Sequence, residues 1–332
     1  MRITVLILSI FIFASCEKML FRPDLNSGDP LKNFDYLWNE VDKKYSYFEL
    51  KSVNWKAIRD QYRPMLSAKS SETELFNVMA NMLNELKDNH SNLASPFNVS
   101  QYPVDLTGPE NFRWRTIEEH YLPDIWRTGP LLNDFLSDEE VGYIRYSSFV
   151  SSFSSAQMDL VLERFKDTKG LIIDLRKNGG GSIFNIPKLL ARFVDTKTLV
   201  GYNITRNGPN HDDFGEKEDI YITPHNGIKY LKPVVVLIDR GSYSATTTFA
   251  LATKALPNIL LMGDTTGGGG GLPNGGQLPN GWTYRFSVSQ LLDLNGSNYA
   301  ENGVPADIEV NFDWTDLTKD EILDSAIYEI VN

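Results

Sequence analysis

The sequence predicts an α/β protein in which a largely parallel sheet follows a small helical N-terminal domain. Two observations carry that expectation. Three short apolar runs, at 171–175, 233–239 and 258–264, suit strands buried on both faces, and helical patterns separate them. Ahead of them, apolar residues recur at three-to-four spacing from Phe34 to Leu86.

Element by element, the chain begins with Arg2, an apolar stretch Ile3–Phe13, then Ala14, Ser15 and Cys16. The stretch is too short to span a bilayer and suits a secretory signal over residues 1–15. Cys16 is the only cysteine, and its place after Ala14-Ser15 resembles a bacterial lipobox, cut before a cysteine that then carries lipid. An ordinary signal with a coincidental cysteine is the alternative. The expectation is an exported lipoprotein, membrane-anchored through Cys16 and facing the periplasm or the cell surface, without a disulfide framework. Residues 16–32 mix charge, Pro, Gly and Asn without periodicity and read as a tether.

Residues 33–100 form the expected helical N-terminal domain. Its first pattern holds Phe34, Leu37, Trp38, Val41 and Tyr45, and its second Trp55, Ile58, Tyr62 and Leu66. The third opens on Ser71-x-x-Glu74, a capping box, and runs through Leu75, Val78, Met79, Met82, Leu83 and Leu86 before breaking at LKDNHSN. Residues 101–140 read as an irregular connection with short strands. From 141 to 332 the pattern is that of the α/β core. A strand at VGYIRYSSF leads to an amphipathic helix (Met158–Phe165), the strand LIIDL, a helix (Ile183–Val194), a strand near Leu199–Tyr202 and the strand PVVVLID. A helix from Ala245 to Ala255, the strand NILLMGD and a closing helix after Asp316 complete it.

Composition removes several function classes. Of 332 residues, 42% are hydrophobic and 12% aromatic, which rules out general disorder. The 32 Lys+Arg against 43 Asp+Glu give a net charge of −11 and no basic run, so a nucleic-acid partner is not expected. No Gly-Lys-Ser/Thr follows the glycine run, and the dispersed histidines and lone cysteine make no zinc pattern. Neither cofactor nor metal is expected.

Two loops at the carboxyl ends of buried strands stand out, Asp174–Gly181 and Asp239–Ala245, because ligands and catalytic groups collect there in α/β sheets. A serine between strand and helix has exposed backbone N–H groups beside its hydroxyl, although on local grounds alone Ser242 or Ser244 is more simply a helix cap. The loop lacks the Gly-x-Ser-x-Gly elbow of α/β-hydrolases.

The ordered segments IIDLRKNGGGS, VVVLIDRGSYSATTTFA, LLMGDTTGGGGG and AENGVPADIEV resemble the successive motifs of the serine peptidases that include C-terminal processing (tail-specific) and tricorn-core proteases. LKDNHS fits a further motif upstream. The resemblance implies a crotonase- or ClpP-like ββα superhelix and hydrolysis of peptide bonds in peptides or unfolded proteins through an acyl-enzyme. It implies Ser244 as nucleophile, with Ala245 and Gly180 or Gly181 giving N–H groups to the oxyanion. Processing proteases use a lysine base, but its position here is Gly269. The tricorn-like branch implies His90 as base and Glu301 as its orienting carboxylate, with Asp88 an alternative because Asn89 stands where tricorn has a serine. His120, His211 and His225 are expected on the surface, and glycines 267–271 as a flexible rim of the cleft. The stretch from His90 to Val141 is too short for the PDZ domain that processing proteases insert there. A catalytically inactive binding module for peptides or apolar ligands is the rival reading.

Overall fold

A computed structural model describes residues 27–103 and 108–332. The signal, Cys16 and most of the expected tether lie outside the described residues. Helix α1 (Pro30–Lys44) starts where Asp29 accepts the Leu31 N–H and Pro30 presets the first turn. It packs with α2 (Trp55–Tyr62) and α3 (Glu72–Asn84). The Ser71/Glu74 capping box forms in both directions, a device that contributes about 1 kcal/mol. Phe34, Leu37, Val41, Trp55, Met79 and Leu83 fill the core between these helices.

This N-terminal unit is not helical alone. Strand β1 (Asn92–Ala94) pairs antiparallel with a strand near residue 285, contributed from within the segment expected to form the α/β core. Phe286, Tyr284 and Trp282 from that later hairpin complete the helical core. Sequence patterning could not reveal this, since the two halves of the pairing are far apart in the chain.

The interval 101–140 is more regular than expected. It holds α4 (Trp114–His120) and two strands, β2 (Trp126–Thr128) and β3 (Leu131–Leu136), that extend the main sheet. Next come β4 (Val141–Tyr146), α5 (Ser155–Arg164), β5 (Gly170–Asp174), α6 (Asn185–Leu190), β6 (Thr198–Thr205), β7 (Glu218–Ile222) and β8 (Val234–Ile238). The chain continues through α7 (Ala245–Thr253), β9 (Ile259–Gly263), β10 (Pro273–Gln277), β11 (Thr283–Ser287), β12 (Ser289–Leu292), β13 (Ile308–Glu309) and α8 (Glu321–Val331).

The large sheet has the order β13-β9-β8-β5-β4-β3-β2, parallel from β13 to β4 and antiparallel at the β3 and β2 edge. Its central strands are apolar throughout because both faces are covered. Val234, Val236 and Ile238 of β8 point into one cluster with Phe249 and Leu251 of α7; Val235 and Leu237 point into the other with Ile322 and Ala326 of α8. Each such side chain contributes roughly 1.5–3 kcal/mol on burial. The adjacency of β5, β8 and β9 brings their three carboxyl-end loops together at one place.

Candidate active site

The loop after β5 is fixed by Asn178, which is fully buried. Its Nδ2 donates to the Tyr146 carbonyl at 2.9 Å, and its Oδ1 accepts the Gly180 N–H at 3.0 Å. The loop after β8 is tied to it: the Tyr243 N–H and the Thr246 hydroxyl both donate to the Asn178 carbonyl. Asp239 Oδ1 accepts the Lys177 N–H at 2.8 Å. The two loops are thus crosslinked by hydrogen bonds to the buried Asn178 and Asp239.

Ser242 and Ser244 have different surroundings. Ser242 is fully buried, donates to the Leu175 carbonyl at 2.9 Å and accepts the Asp239 N–H at 3.1 Å, so it is part of the scaffold. Ser244 immediately precedes α7 at φ 58°, ψ −116°, a conformation costly for any residue with a side chain. Its side chain makes no capping bond. Instead its Oγ lies 2.9 Å from His90 Nε2. The strained backbone is held by the glycine run, with the Ser244 N–H donating to the Gly268 carbonyl at 2.9 Å.

That run is not a flexible rim. Glycines 267–271 are buried, and Gly269 donates to the Glu301 carbonyl at 3.1 Å. At Gly268, φ is +90° and an added Cβ would lie 2.2 Å from the Glu301 carbonyl oxygen, so only glycine fits the strap.

His90 comes not from the end of a helix but from the turn between α3 and β1. Lys87 takes φ +48°, and Asp88 Oδ1 accepts the His90 N–H at 2.8 Å while Oδ2 accepts the Ser91 hydroxyl. Asp88 therefore spends both oxygens on its own turn. Glu301 Oε1 pairs with Lys51 Nζ at 2.7 Å, and Glu301 Oε2 and His90 Nδ1 are both buried without a hydrogen-bond partner among the described residues. Neither carboxylate hydrogen-bonds Nδ1, so the expected direct bond from Glu301 to His90 is not made. Burial lowers the His90 pKa against the opposing pull of Asp88, with Arg285 and Lys51 adding to the lowering. Burial first and Asp88 second push Glu301 up to about 7, against the pull of Lys51.

The expectation for the oxyanion amides divides. Ala245 N–H, the first in α7, has no intrahelical carbonyl to reach. Gly180 N–H is consumed by Asn178, which corrects its candidacy and leaves Gly181, whose N–H makes no hydrogen bond among the described residues. Gly180 still serves by lacking a Cβ, since one would sit 2.9 Å from the Ala245 nitrogen.

A cleft of about 490 Å³ lined by His90, Gly181, Ser244, Ala245 and Arg285 opens over these groups. Ile183, Thr248 and Leu272 are shared with an apolar cavity of about 300 Å³ walled by Ile186, Val200, Ile222 and Leu251. Asn89 also lines the cleft, its Nδ2 donating to the Tyr102 carbonyl at 2.9 Å. His211 pairs with Asp42 and stacks on Phe48, away from the cleft. Lys51 and Arg285 were missed by sequence reasoning; each is a lone cation without a local motif, and only the tertiary fold brings them here.

Comparison with known proteins follows the same division of the chain. The profile of Peptidase family S41 matches residues 140–310, and that of the tricorn protease C1 domain matches residues 29–84. The carboxy-terminal processing protease CtpA of Bacillus subtilis (strain 168) is 28% identical over 176 residues, covering 52% of this chain and 36% of that one. The chloroplastic C-terminal processing peptidase of Tetradesmus obliquus is 29% identical over 177 residues, with the same coverage of 52% and 36%. The match thus takes in about a third of the length of these relatives. A solved structure of a candidate peptidase from Parabacteroides merdae ATCC 43184 is 35% identical, with a TM-score of 0.85, and covers 92% of this chain and 98% of that one.

Proposed function

Because the chain belongs to peptidase family S41, we propose that it hydrolyses peptide bonds as a serine peptidase of the carboxy-terminal processing type, through an acyl-enzyme on Ser244. The observation that carries this reading is the 2.9 Å contact between Ser244 Oγ and His90 Nε2 at the floor of an open cleft. In the proposed reaction His90 Nε2 takes the Ser244 proton as Oγ bonds to the substrate carbonyl carbon. The Ala245 and Gly181 N–H groups receive the developing oxyanion. The C–N bond then breaks, His90 returns the proton to the leaving amine, and water releases the acyl group by the reverse sequence.

Glu301 is the carboxylate assigned to the resulting imidazolium, since its Oε2 is uncommitted while both Asp88 oxygens are engaged. The apolar cavity beside the cleft supports peptides bearing an apolar side chain next to the bond that is cut. Anchoring through Cys16 would place the enzyme at a membrane, with peptides or unfolded chains as substrates. No described helix is long and apolar enough to cross one.

Turnover of an unfolded protein and a peptide panel by the wild type and by Ser244→Ala tests the proposal. Cleavage by the first and not the second supports it. A folded wild type that binds peptides without cutting them favours the binding-module reading instead.

A further inference from the structure

Lys51 lies in the turn after α1, with its backbone N–H bonded to the Tyr47 carbonyl at 3.0 Å and its ammonium 5.9 Å from the Tyr47 ring centroid. Only 12% of its side chain is exposed, and only 3% of its partner Glu301. Withdrawing an ammonium this far from water is unfavourable unless its donors are met. Two of them are met by segments that deliver the reacting groups. One goes to Glu301 Oε1 at 2.7 Å, and one to the carbonyl of Lys87 at 2.9 Å. Lys87 is the left-handed residue of the turn that presents His90.

We propose that Lys51 is a positioning residue for the reaction at Ser244: its ammonium ties Glu301 to the His90 turn and supplies the charge against which that carboxylate stands behind the imidazole. The inference rests on the function proposed above and extends it to a residue that no motif marks.

The surrounding charges give the direction of the effect. Asp88, Lys51, Tyr45, Tyr47 and Tyr243 face Glu301, and Asp88, Arg285 and Lys51 face His90. Burial keeps the three tyrosines neutral by raising them well above 10. Lys51 favours the carboxylate of Glu301 and the neutral form of His90. Removing it favours protonation of both groups, so the acidic limb of activity must move to higher pH.

The test is the rate at which a fluorophosphonate labels Ser244, followed against pH in the full chain. Lys51→Met is expected to move the acidic limb up by about 1–3 pH units, the range for losing a close opposite charge. Lys51→Arg should retain the wild-type limb, and since a guanidinium accepts no proton its activity also excludes Lys51 as the base. In a Glu301→Gln background, Lys51→Met should move the limb by clearly less, because only the direct action of the ammonium on His90 remains once the carboxylate is gone. This double variant removes both charges together and so stays informative where Lys51→Met alone does not fold. An unmoved limb in Lys51→Met, or an equally large shift with Gln at 301, overturns the proposal while wild-type labelling leaves the serine peptidase reading standing. Absence of wild-type labelling at every pH overturns that reading instead.

Discussion

Ser244 and Ser242 stand two residues apart in one loop and do opposite work. The first holds a backbone conformation that the fold must stabilise from outside, and its hydroxyl faces His90 in the cleft. The second has its hydroxyl enclosed by Leu175 and Asp239. Ser244→Ala should therefore abolish fluorophosphonate labelling and turnover with little loss of stability. Ser242→Ala should keep labelling but lower the unfolding free energy by about 1–3 kcal/mol, the cost of leaving buried partners unmet. Mapping the adduct by mass spectrometry and measuring urea unfolding checks both; label on Ser242 would move the nucleophile. LKDNHS points to His90, which the fold places 2.9 Å from Ser244, and Gly269 stands where the usual lysine would be. The sequence did not disclose Lys51, because an ion pair between turns separated by most of the chain leaves no local pattern.

At the scale of elements, the strands and their carboxyl-end loops could be read because burial on both faces demands continuous apolar runs. The glycine run could not, because composition shows that glycine permits unusual conformations and not whether the surroundings fix one. Here they do: Gly268 receives the Ser244 N–H and the Thr247 hydroxyl, and bridges to Tyr243. Gly269 has φ +73°, and a Cβ there would lie 2.5 Å from the Tyr243 ring. Gly269→Lys, restoring the lysine that the processing-protease motif carries, should not rescue His90→Ala, because a Cβ at this left-handed position runs into the Tyr243 ring. Lys254, which a motif-free search for a base would have to consider, is paired with Asp307 at 2.5 Å. Recovered turnover in the Gly269→Lys/His90→Ala protein would contradict this packing argument.

Across the whole molecule, the groups proposed to react come from separate units that only the fold unites. The N-terminal helices and β1 deliver His90, the sheet delivers Ser244, and the loop beyond β12 delivers Glu301. The hairpin of β10 and β11 clasps β1, which is why residues 33–100 do not form the self-contained helical domain that their periodicity suggests. Under the sheet, Arg176 is fully buried between Asp174 and Asp320, bonding both carboxylates and the Asn111 carbonyl. Burial opposes the charge of Asp174, but Arg176 and Arg145 together hold its pKa below the ordinary value. Its stabilising contribution is therefore complete above that ordinary value, about 3.9, and is lost as pH falls through the lower folded one. Arg176→Met should remove about 3–5 kcal/mol at neutral pH by stranding buried carboxylates, visible as a lower urea midpoint. An unchanged midpoint would show the network to be dispensable. At the membrane, Cys16→Ser should transfer the protein from the detergent phase to the aqueous phase; unchanged partitioning would remove the proposed lipid anchor.

The central claim is that His90 takes the proton of Ser244. The most direct measurement is the rate of fluorophosphonate attachment to Ser244 against pH, in wild type and in His90→Ala shown to be folded by circular dichroism. A neutral imidazole is required, and Glu301 must keep its charge to stabilise the imidazolium. Labelling should therefore decline on acidification from about pH 7, where Glu301 takes a proton, toward the lowered value at which His90 does. His90→Ala should label slower by orders of magnitude at every pH, since an unaided hydroxyl is a poor nucleophile. A folded His90→Ala protein that labels Ser244 at the wild-type rate, with the same acidic limb, would contradict the account.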